Sequence, residues 1–172
     1  MMAEIVDVVD KNDNVIGQEL KSKCHAEKLL HRCTNIFAFK DDSFKELLIQ
    51  KRTLGKDIAP GRLCTPGGHV HAGEMYLDAA KREFFEEMYD SSVDDNLEFE
   101  ELFKIRKYGD NDPEFMMVYR AVAPGPFYPD PIEVAGYYFE DIKKVFDDIE
   151  NGSKEYMETT LELVKEYKKR YG

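Results

Sequence analysis

The stretch from Gly67 to Asp90, GGHVHAGEMYLDAAKREFFEEMYD, constrains this chain more than any other, because it joins a glycine turn to a helix carrying Glu83, Glu86 and Glu87. At about 100° per residue, setting Glu83 at zero puts Glu87 near ~40° and Glu86 near ~300°, while Leu77, Ala80, Phe84 and Met88 gather at roughly 60 to 140°. One face is acidic and its neighbour is apolar. Three carboxylates in one arc repel one another at neutral pH, so a chain that keeps them beside its core calls for a counter-charge. A divalent cation supplies it. Gly67 and Gly68 allow a tight turn whose carbonyl approaches an ion, and Gly73 lets the loop fold before the helix begins. Oxygen donors at i, i+3 and i+4 suit Mg²⁺ or Mn²⁺, which bind a few carboxylates and keep waters for a substrate phosphate. The reaction class this favours is metal-assisted attack of water on a phosphoanhydride.

The rest of the composition narrows the partners. A chain of 172 residues has one domain's length, and its 42% hydrophobic and 34% charged residues are ordinary for a globular protein. A formal charge of −11 opposes general affinity for nucleic acid or for an anionic membrane, which reward clusters of Lys and Arg. The expected partner is a small-molecule diphosphate. No apolar run approaches the ~20 residues needed to span a bilayer, and Met1-Met2-Ala3-Glu4 does not read as a secretory signal. Cys24, Cys33 and Cys64 are odd in number and lack CxxC spacing, which argues against a disulfide framework and a zinc knuckle. A reducing cytoplasm is the expected setting.

Along the chain, Ile5 to Val9 and Val15 to Gly17 flank the turn-rich run Asp10 to Asn14 and predict a hairpin, whose edge leaves pairing with a second subunit open. A short helix is expected from Ser22 to about Leu30, capped by Ser22 or its neighbours. TNIFAFK from Thr34 and ELLIQK from Glu46 predict a second hairpin. Thr53 to Pro66 is punctuated by Gly55, Pro60, Gly61 and Pro66, and reads as a loop with a short strand around Arg62 to Thr65. Ser91 to Asn96 breaks the pattern, Leu97 to Tyr108 is one bent strand or two, and Gly109 to Pro113 is a turn. Phe115 to Val122 is an apolar strand of the kind buried on both faces. A proline-rich loop leads to a strand at Ile132 to Phe139, then helices at about Glu140 to Glu150 and Ser153 to Tyr171, parted by the Asn151-Gly152 C-cap. Met157, Leu161, Val164 and Tyr167 recur at helical spacing as a docking face.

The acidic stretch resembles the Nudix box: Gly68, five residues, Glu74, seven residues, then Arg82-Glu83-Phe84-Phe85-Glu86-Glu87. The order of strands and helices around it is similar to the Nudix α/β/α sandwich, a mixed central sheet with the box helix on one side and C-terminal helices after the last strand. A single domain over residues 1–172 is implied. By this resemblance Glu86 and Glu87 are metal ligands with help from the Gly67 carbonyl. Glu83 lies at the metal and orients or deprotonates the water, Arg82 holds Glu83 in place, and Glu74 supports the loop. The match departs at its end, where the family's glycine is Tyr89 and its aliphatic residue is Asp90. Tyrosine is a poor left-handed residue, so the helix is not expected to stop there in the usual way. Glu114 and Glu133 are candidates for a further acid, Glu114 toward the metal and Glu133 toward the substrate, each against a plainer reading as a surface acid at a strand end. Arg52 and Lys51 are candidates for a substrate phosphate, against a solvated charged pair. Tyr108, Phe127 and Tyr128 are candidates for stacking on a base or sugar, against core or rim positions.

The N-terminal half, with VDVVDKNDNVIG, Leu30-His31-Arg32, LLIQKRT and GGHVHAGE, resembles the branch of Nudix proteins related to isopentenyl-diphosphate isomerase. That enzyme moves a double bond with a cysteine and a glutamate beside a metal held by three histidines and two glutamates. His31 and His69 match two of the histidine positions, His25 lies one residue off the third, and Glu114 sits near the acidic pair. Gly67 occupies the cysteine position, and Cys64, three residues away, needs a different loop path to replace it. Without converging partners, His25 and His71 read as surface and loop residues, while His31 and His69 stay open between ligand and structural roles. The expected activity is hydrolysis of a phosphoanhydride in a nucleoside diphosphate linked to another group, or in a similar small pyrophosphate. An isoprenoid-diphosphate isomerase and a silent ligand-binding scaffold are the alternatives.

Overall fold

A computed structural model describes residues 4–89, 96–107 and 113–172. All but the last residue of the expected polar break from Ser91 to Asn96 and of the expected turn from Gly109 to Pro113, together with Tyr108 and Asp90, lie outside the described residues. The architecture is mixed α+β: strands β1 Ile5–Val9, β2 Val15–Leu20, β3 His31–Phe39, β4 Glu46–Arg52, β5 Leu63–Cys64, β6 Gly67–His69, β7 Phe99–Lys107, β8 Glu114–Val122 and β9 Val134–Asp141, with helices α1 Lys21–Glu27, α2 Tyr76–Met88, α3 Ile142–Asn151 and α4 Glu158–Tyr171. Seven strands form a central sheet in the order β5-β4-β3-β8-β7, with β6 on β3 and β9 on β4. The backbone divides into two compact units interleaved in sequence. One comprises Met1–Ile36, Gly67–Phe84 and Phe99–Arg120, and the other Phe37–Pro66, Phe85–Glu98 and Ala121–Gly172.

In the first unit β1 and β2 form the expected antiparallel hairpin, with Ile5 opposite Leu20 and Val8 opposite Gly17. Helix α1 follows β2 directly, so its cap is the extended Leu20, with no side-chain cap hydrogen bond, and the Lys21 N–H donates to the Glu4 carbonyl instead. Ser22 is therefore inside the helix and does not cap it. The pair Gly67-Gly68 is not a turn. It belongs to β6, which pairs antiparallel with β3 through Cys33↔His69, Thr34↔Gly68 and Asn35↔Gly67, and the turn comes later, at Gly73. Strand β8 is buried from Glu114 to Tyr119, as its unbroken apolar run predicts. On α2, Ala79, Ala80 and Phe84 are buried, whereas Leu77 is 38% exposed, so the first turn of the helix projects past the core.

The second unit is built on β4, whose Leu47, Leu48, Ile49 and Gln50 are all buried. Its long partner is β9, from Glu46↔Asp141 to Arg52↔Val134. The expected β3–β4 hairpin closes at Phe39↔Leu47, and farther along β4 pairs with β5 through Gln50↔Cys64 and Lys51↔Leu63. Helix α4 starts five residues later than its sequence pattern suggests, because residues before it are held against β5. The Leu63 N–H donates to the Glu155 carbonyl at 3.0 Å and the Met157 N–H to the Leu63 carbonyl at 2.8 Å. Its buried face is Thr159, Thr160, Leu163, Val164 and Tyr167, a rotation away from Met157 and Leu161. Tyr167 meets Phe37 and Phe39 at ring distances of 5.1 and 6.1 Å.

Helix α3 ends at its expected glycine cap and begins at a carboxylate cap that the sequence reading does not single out. Gly152 ends it in the left-handed conformation at φ 63°, and the Asp141 carboxylate accepts from the Lys143 and Lys144 N–H groups at 2.8 and 3.4 Å. Asp141→Ala should cost about 1 kcal/mol of unfolding free energy, and Asp141→Asn should recover most of it, read from urea denaturation midpoints.

Candidate functional site

In the first unit the residues of the acidic stretch are assembled around Arg82. Its guanidinium donates from Nε and Nη2 to the two Glu74 oxygens, both at 2.9 Å, from Nη1 to Glu83 Oε1 at 2.7 Å, and from Nη2 to the His69 carbonyl at 2.9 Å. Burial alone would raise the Glu74 carboxyl, but the Arg82 hydrogen bonds and the His71 N–H outweigh it and hold the group below the ordinary carboxylate range. Glu83 lies against bare backbone. A methyl group built on Gly68 would stand 2.3 Å from the Glu83 carboxyl carbon and 2.4 and 2.6 Å from its oxygens. Gly67 is constrained differently, at φ 153° with a built Cβ only 2.3 Å from the Thr34 carbonyl and 2.8 Å from Asn35 Cα. No side chain fits there without moving the β3 backbone.

The second unit holds the C-terminal turn of α2. Glu86 is exposed, and Glu87 is 6% exposed, so the buried side of the helix includes one of the acids. Glu87 Oε2 accepts from Gln50 Nε2 at 3.0 Å, and the same amide lies 3.6 Å from Cys64 Sγ. Burial, and then the nearby Glu87 charge, push the Cys64 thiol up to about 11. The helix ends at Met88, and Tyr89 packs its ring on Phe127 at 5.2 Å. The Tyr128 and Asp130 N–H groups donate to the Met88 and Glu87 carbonyls, so the proline-rich loop closes over a helix end that lacks the family's glycine.

The substrate candidates of this unit lie around the loop that follows β4. Lys51 is exposed, Arg52 Nε donates to the Ile58 carbonyl at 2.9 Å, and Glu133 is ion-paired with Lys56. Phe127 is buried beside Tyr137 and Phe139, a core position, while Tyr128 is 63% exposed. Neither Gln50 nor Lys56 stands out as a functional candidate in the sequence, although a glutamine inside the apolar run LLIQ is a polar group that burial obliges to find a partner.

A second group of donors sits in the first unit. His31 and Cys33 point to one face of β3, His69 enters from β6 opposite Cys33, and Glu114 opens β8. Their ligand atoms lie within 4.8 Å of one another. His31 Nε2 is 3.6 Å and His69 Nε2 3.8 Å from Glu114 Oε1. His25 does not stand on the helix surface, since its Nε2 is 3.1 Å from His69 Nε2 and its ring meets those of His31 and His69 at 5.1 and 5.0 Å. Burial, followed by the neighbouring His31 charge, lowers the His69 imidazole well below its usual value. Glu114 thus belongs with the histidines. Cys33 is the member that sequence reading misses, and the signal for it is the two-residue spacing from His31 on a strand.

Comparison with known proteins shows the family. A family model described as the NUDIX domain matches residues 29–160. An uncharacterized Nudix hydrolase of Yersinia pestis is 44% identical over 86 residues, 49% of this chain and 46% of that protein, and the chain spans about half the length of such hydrolase relatives. An isopentenyl-diphosphate Delta-isomerase of Serratia proteamaculans is 31% identical over 169 residues, 96% of this chain and 92% of that protein. The crystal structure of DR0079 from Deinococcus radiodurans superposes with a TM-score of 0.80 at 26% identity, over 95% of this chain and 98% of that one. With a family model over most of its length and a 31%-identical relative over nearly all of it, the chain belongs to the Nudix family.

Proposed function

We propose that the protein is a Mg²⁺- or Mn²⁺-dependent Nudix pyrophosphohydrolase that cleaves the phosphoanhydride of a nucleoside diphosphate linked to another group, or of a similar small pyrophosphate. The observation that carries this reading is the Glu83 carboxylate seated on Gly68 and clamped by Arg82, on the helix that also bears Glu86 and Glu87. The all-oxygen donor set fits a hard cation, with Glu83, Glu86, Glu87 and the Gly67 carbonyl as its ligands. When bound, such an ion offsets phosphate charge and lowers the pKa of the attacking water. Glu83 accepts the water's proton, and Arg82 fixes its orientation through Oε1. Gln50 donates to Oε2 of the buried Glu87 and so orients that carboxylate. Lys51, Arg52 and Glu133 are the substrate-side candidates, and the 53–62 loop that engages Arg52 is their support.

The near full-length similarity to an isomerase keeps that chemistry as the second reading. Two features weigh against it. The position that the resemblance assigns to cysteine is a glycine whose backbone has no room for a Cβ. Cys64 is buried, pairs through β5 with Gln50 and carries a thiol pushed up to about 11, a poor proton donor at neutral pH. A catalytically silent scaffold is disfavoured by the intact acid and arginine set.

The discriminating experiment incubates the protein with nucleotide pyrophosphates and with isopentenyl diphosphate, in Mg²⁺ and in Mn²⁺, scoring phosphate-containing products and isomerised diphosphate separately. Hydrolysis alone is expected; isomerisation alone overturns the assignment, and inertness toward every substrate favours the binding scaffold. Glu86→Gln and Glu87→Gln should each lower kcat/KM roughly a hundredfold or more with an unchanged circular dichroism spectrum. Full activity in the double variant would sink the mechanism. Gly68→Ala meets only the end of a flexible side chain, so it should displace Glu83 and lower kcat by up to about a hundredfold while the melting temperature hardly moves.

A further inference from the structure

We infer that Cys33 is a metal ligand, and that with His31, His69 and Glu114 it forms a thiolate-containing centre of the zinc class, chemically separate from the carboxylate set on α2. The isomerase resemblance accounts for histidines and glutamates at such a centre, but not for a thiol. Among the described residues the group holds two histidines and one glutamate, and Cys33 is its fourth member.

Three observations carry the assignment. The first is topology: β3 places His31 and Cys33 on one face, and the β3–β6 register sets His69 directly opposite Cys33. The second is an unsatisfied nitrogen. His31 is 0% exposed, its Nδ1 lies 2.7 Å from the Leu29 carbonyl, and its Nε2 has no hydrogen-bond partner. A carbonyl only accepts, so Nδ1 carries a proton, and in the neutral ring Nε2 then presents a lone pair toward Glu114 Oε1, another acceptor, at 3.6 Å. Two buried acceptors facing each other are costly unless a proton or a metal ion lies between them, and of these two a metal ion is the one that also uses the His69 and Cys33 donors beside them. The carbonyl that sets the tautomer is the kind of outer partner that orients a metal-binding histidine.

The third observation is donor chemistry and size. Tetrahedral zinc with nitrogen, oxygen and sulfur ligands at ~2.0–2.3 Å implies ligand-to-ligand separations of about 3.3 to 3.8 Å. For nitrogen and oxygen ligands at ~2.0–2.2 Å the range is about 3.3 to 3.6 Å, and the two histidine-to-Glu114 separations, 3.6 and 3.8 Å, lie at its upper edge and slightly beyond it. Imidazole and thiolate select zinc over Mg²⁺ or Mn²⁺, which prefer oxygen. Binding exchanges the Cys33 S–H bond for a sulfur–metal bond, releases that proton to solvent and changes no oxidation state.

Cobalt(II), a spectroscopic stand-in for zinc, tests this on the full chain after chelator treatment. One equivalent of Co²⁺ should bind with a near-ultraviolet sulfur-to-cobalt charge-transfer band, be displaced by one equivalent of Zn²⁺, and persist in excess Mg²⁺. Cys33→Ser should abolish the band and weaken zinc binding at least tenfold; Cys33→Ala should do the same, and circular dichroism identifies which variant is folded. Cys24→Ala and Cys64→Ala should keep the band. A charge-transfer band that survives loss of Cys33, cobalt binding without one, or no binding of Co²⁺ or Zn²⁺ overturns the inference. The readout is independent of hydrolysis: Glu87→Gln should keep the cobalt spectrum while losing turnover.

Discussion

The Arg82 guanidinium is the interaction on which the arrangement of the first unit depends. It bonds both oxygens of Glu74, one oxygen of Glu83 and the carbonyl of His69, so a single cation fixes the box loop, the helix and strand β6. A planar fork with five donors can satisfy partners in several directions at once, whereas an ammonium is a point charge without that geometry. Without it, the Glu74 and Glu83 carboxylates would lose their shared positive partner, and the strand that carries His69 would lose its tie to the helix. Glu74 holds Arg82 through both of its oxygens, and so supports the residue that holds Glu83.

The adjacent glycines of β6 serve that arrangement for unlike reasons. At Gly67 the obstacle is backbone, the Thr34 carbonyl and Asn35 Cα of the paired strand, and backbone in a sheet cannot step aside. At Gly68 the obstacle is the Glu83 carboxylate itself. One glycine thus permits strand pairing and the other permits an acid to rest against the main chain. Neither role is the tight turn that a Gly-Gly pair suggests in sequence.

What was legible in the sequence was local. The helix that carries the three glutamates, the Gly152 end of α3 and the buried run of β8 follow from a few neighbouring residues, and each stands where the sequence puts it, whereas the Asp141 cap and the burial of Glu87 do not show in that pattern. The missed features are pairings between distant segments. Gly67 and Gly68 become a strand because residues 33–35 lie alongside them, α4 starts late because Leu63 holds the residues before it, and Leu77 is exposed although it lies on the apolar arc. The candidate site divides in the same way. Arg82 and Glu83 are adjacent in sequence and were readable, while the convergence of His25, His31, Cys33, His69 and Glu114 needs three strands and a helix to be in register.

That division by distance is also a division by chemistry. Acids at i, i+3 and i+4 come from one helix, and such a set is open to water on one side, which is what a hard cation that must also hold a phosphate requires. The donors gathered across β3, β6 and β8 are nitrogen, sulfur and a buried carboxylate, with His31 and Cys33 at 0% and 3% exposure. A largely buried set of nitrogen, sulfur and carboxylate donors suits an ion that stays, and an open set of oxygens suits one that exchanges ligands with its substrate. In a chain with a formal charge of −11, positive ions would face little electrostatic opposition at either proposed place, so on this reading the selection between them rests on donor type and not on attraction.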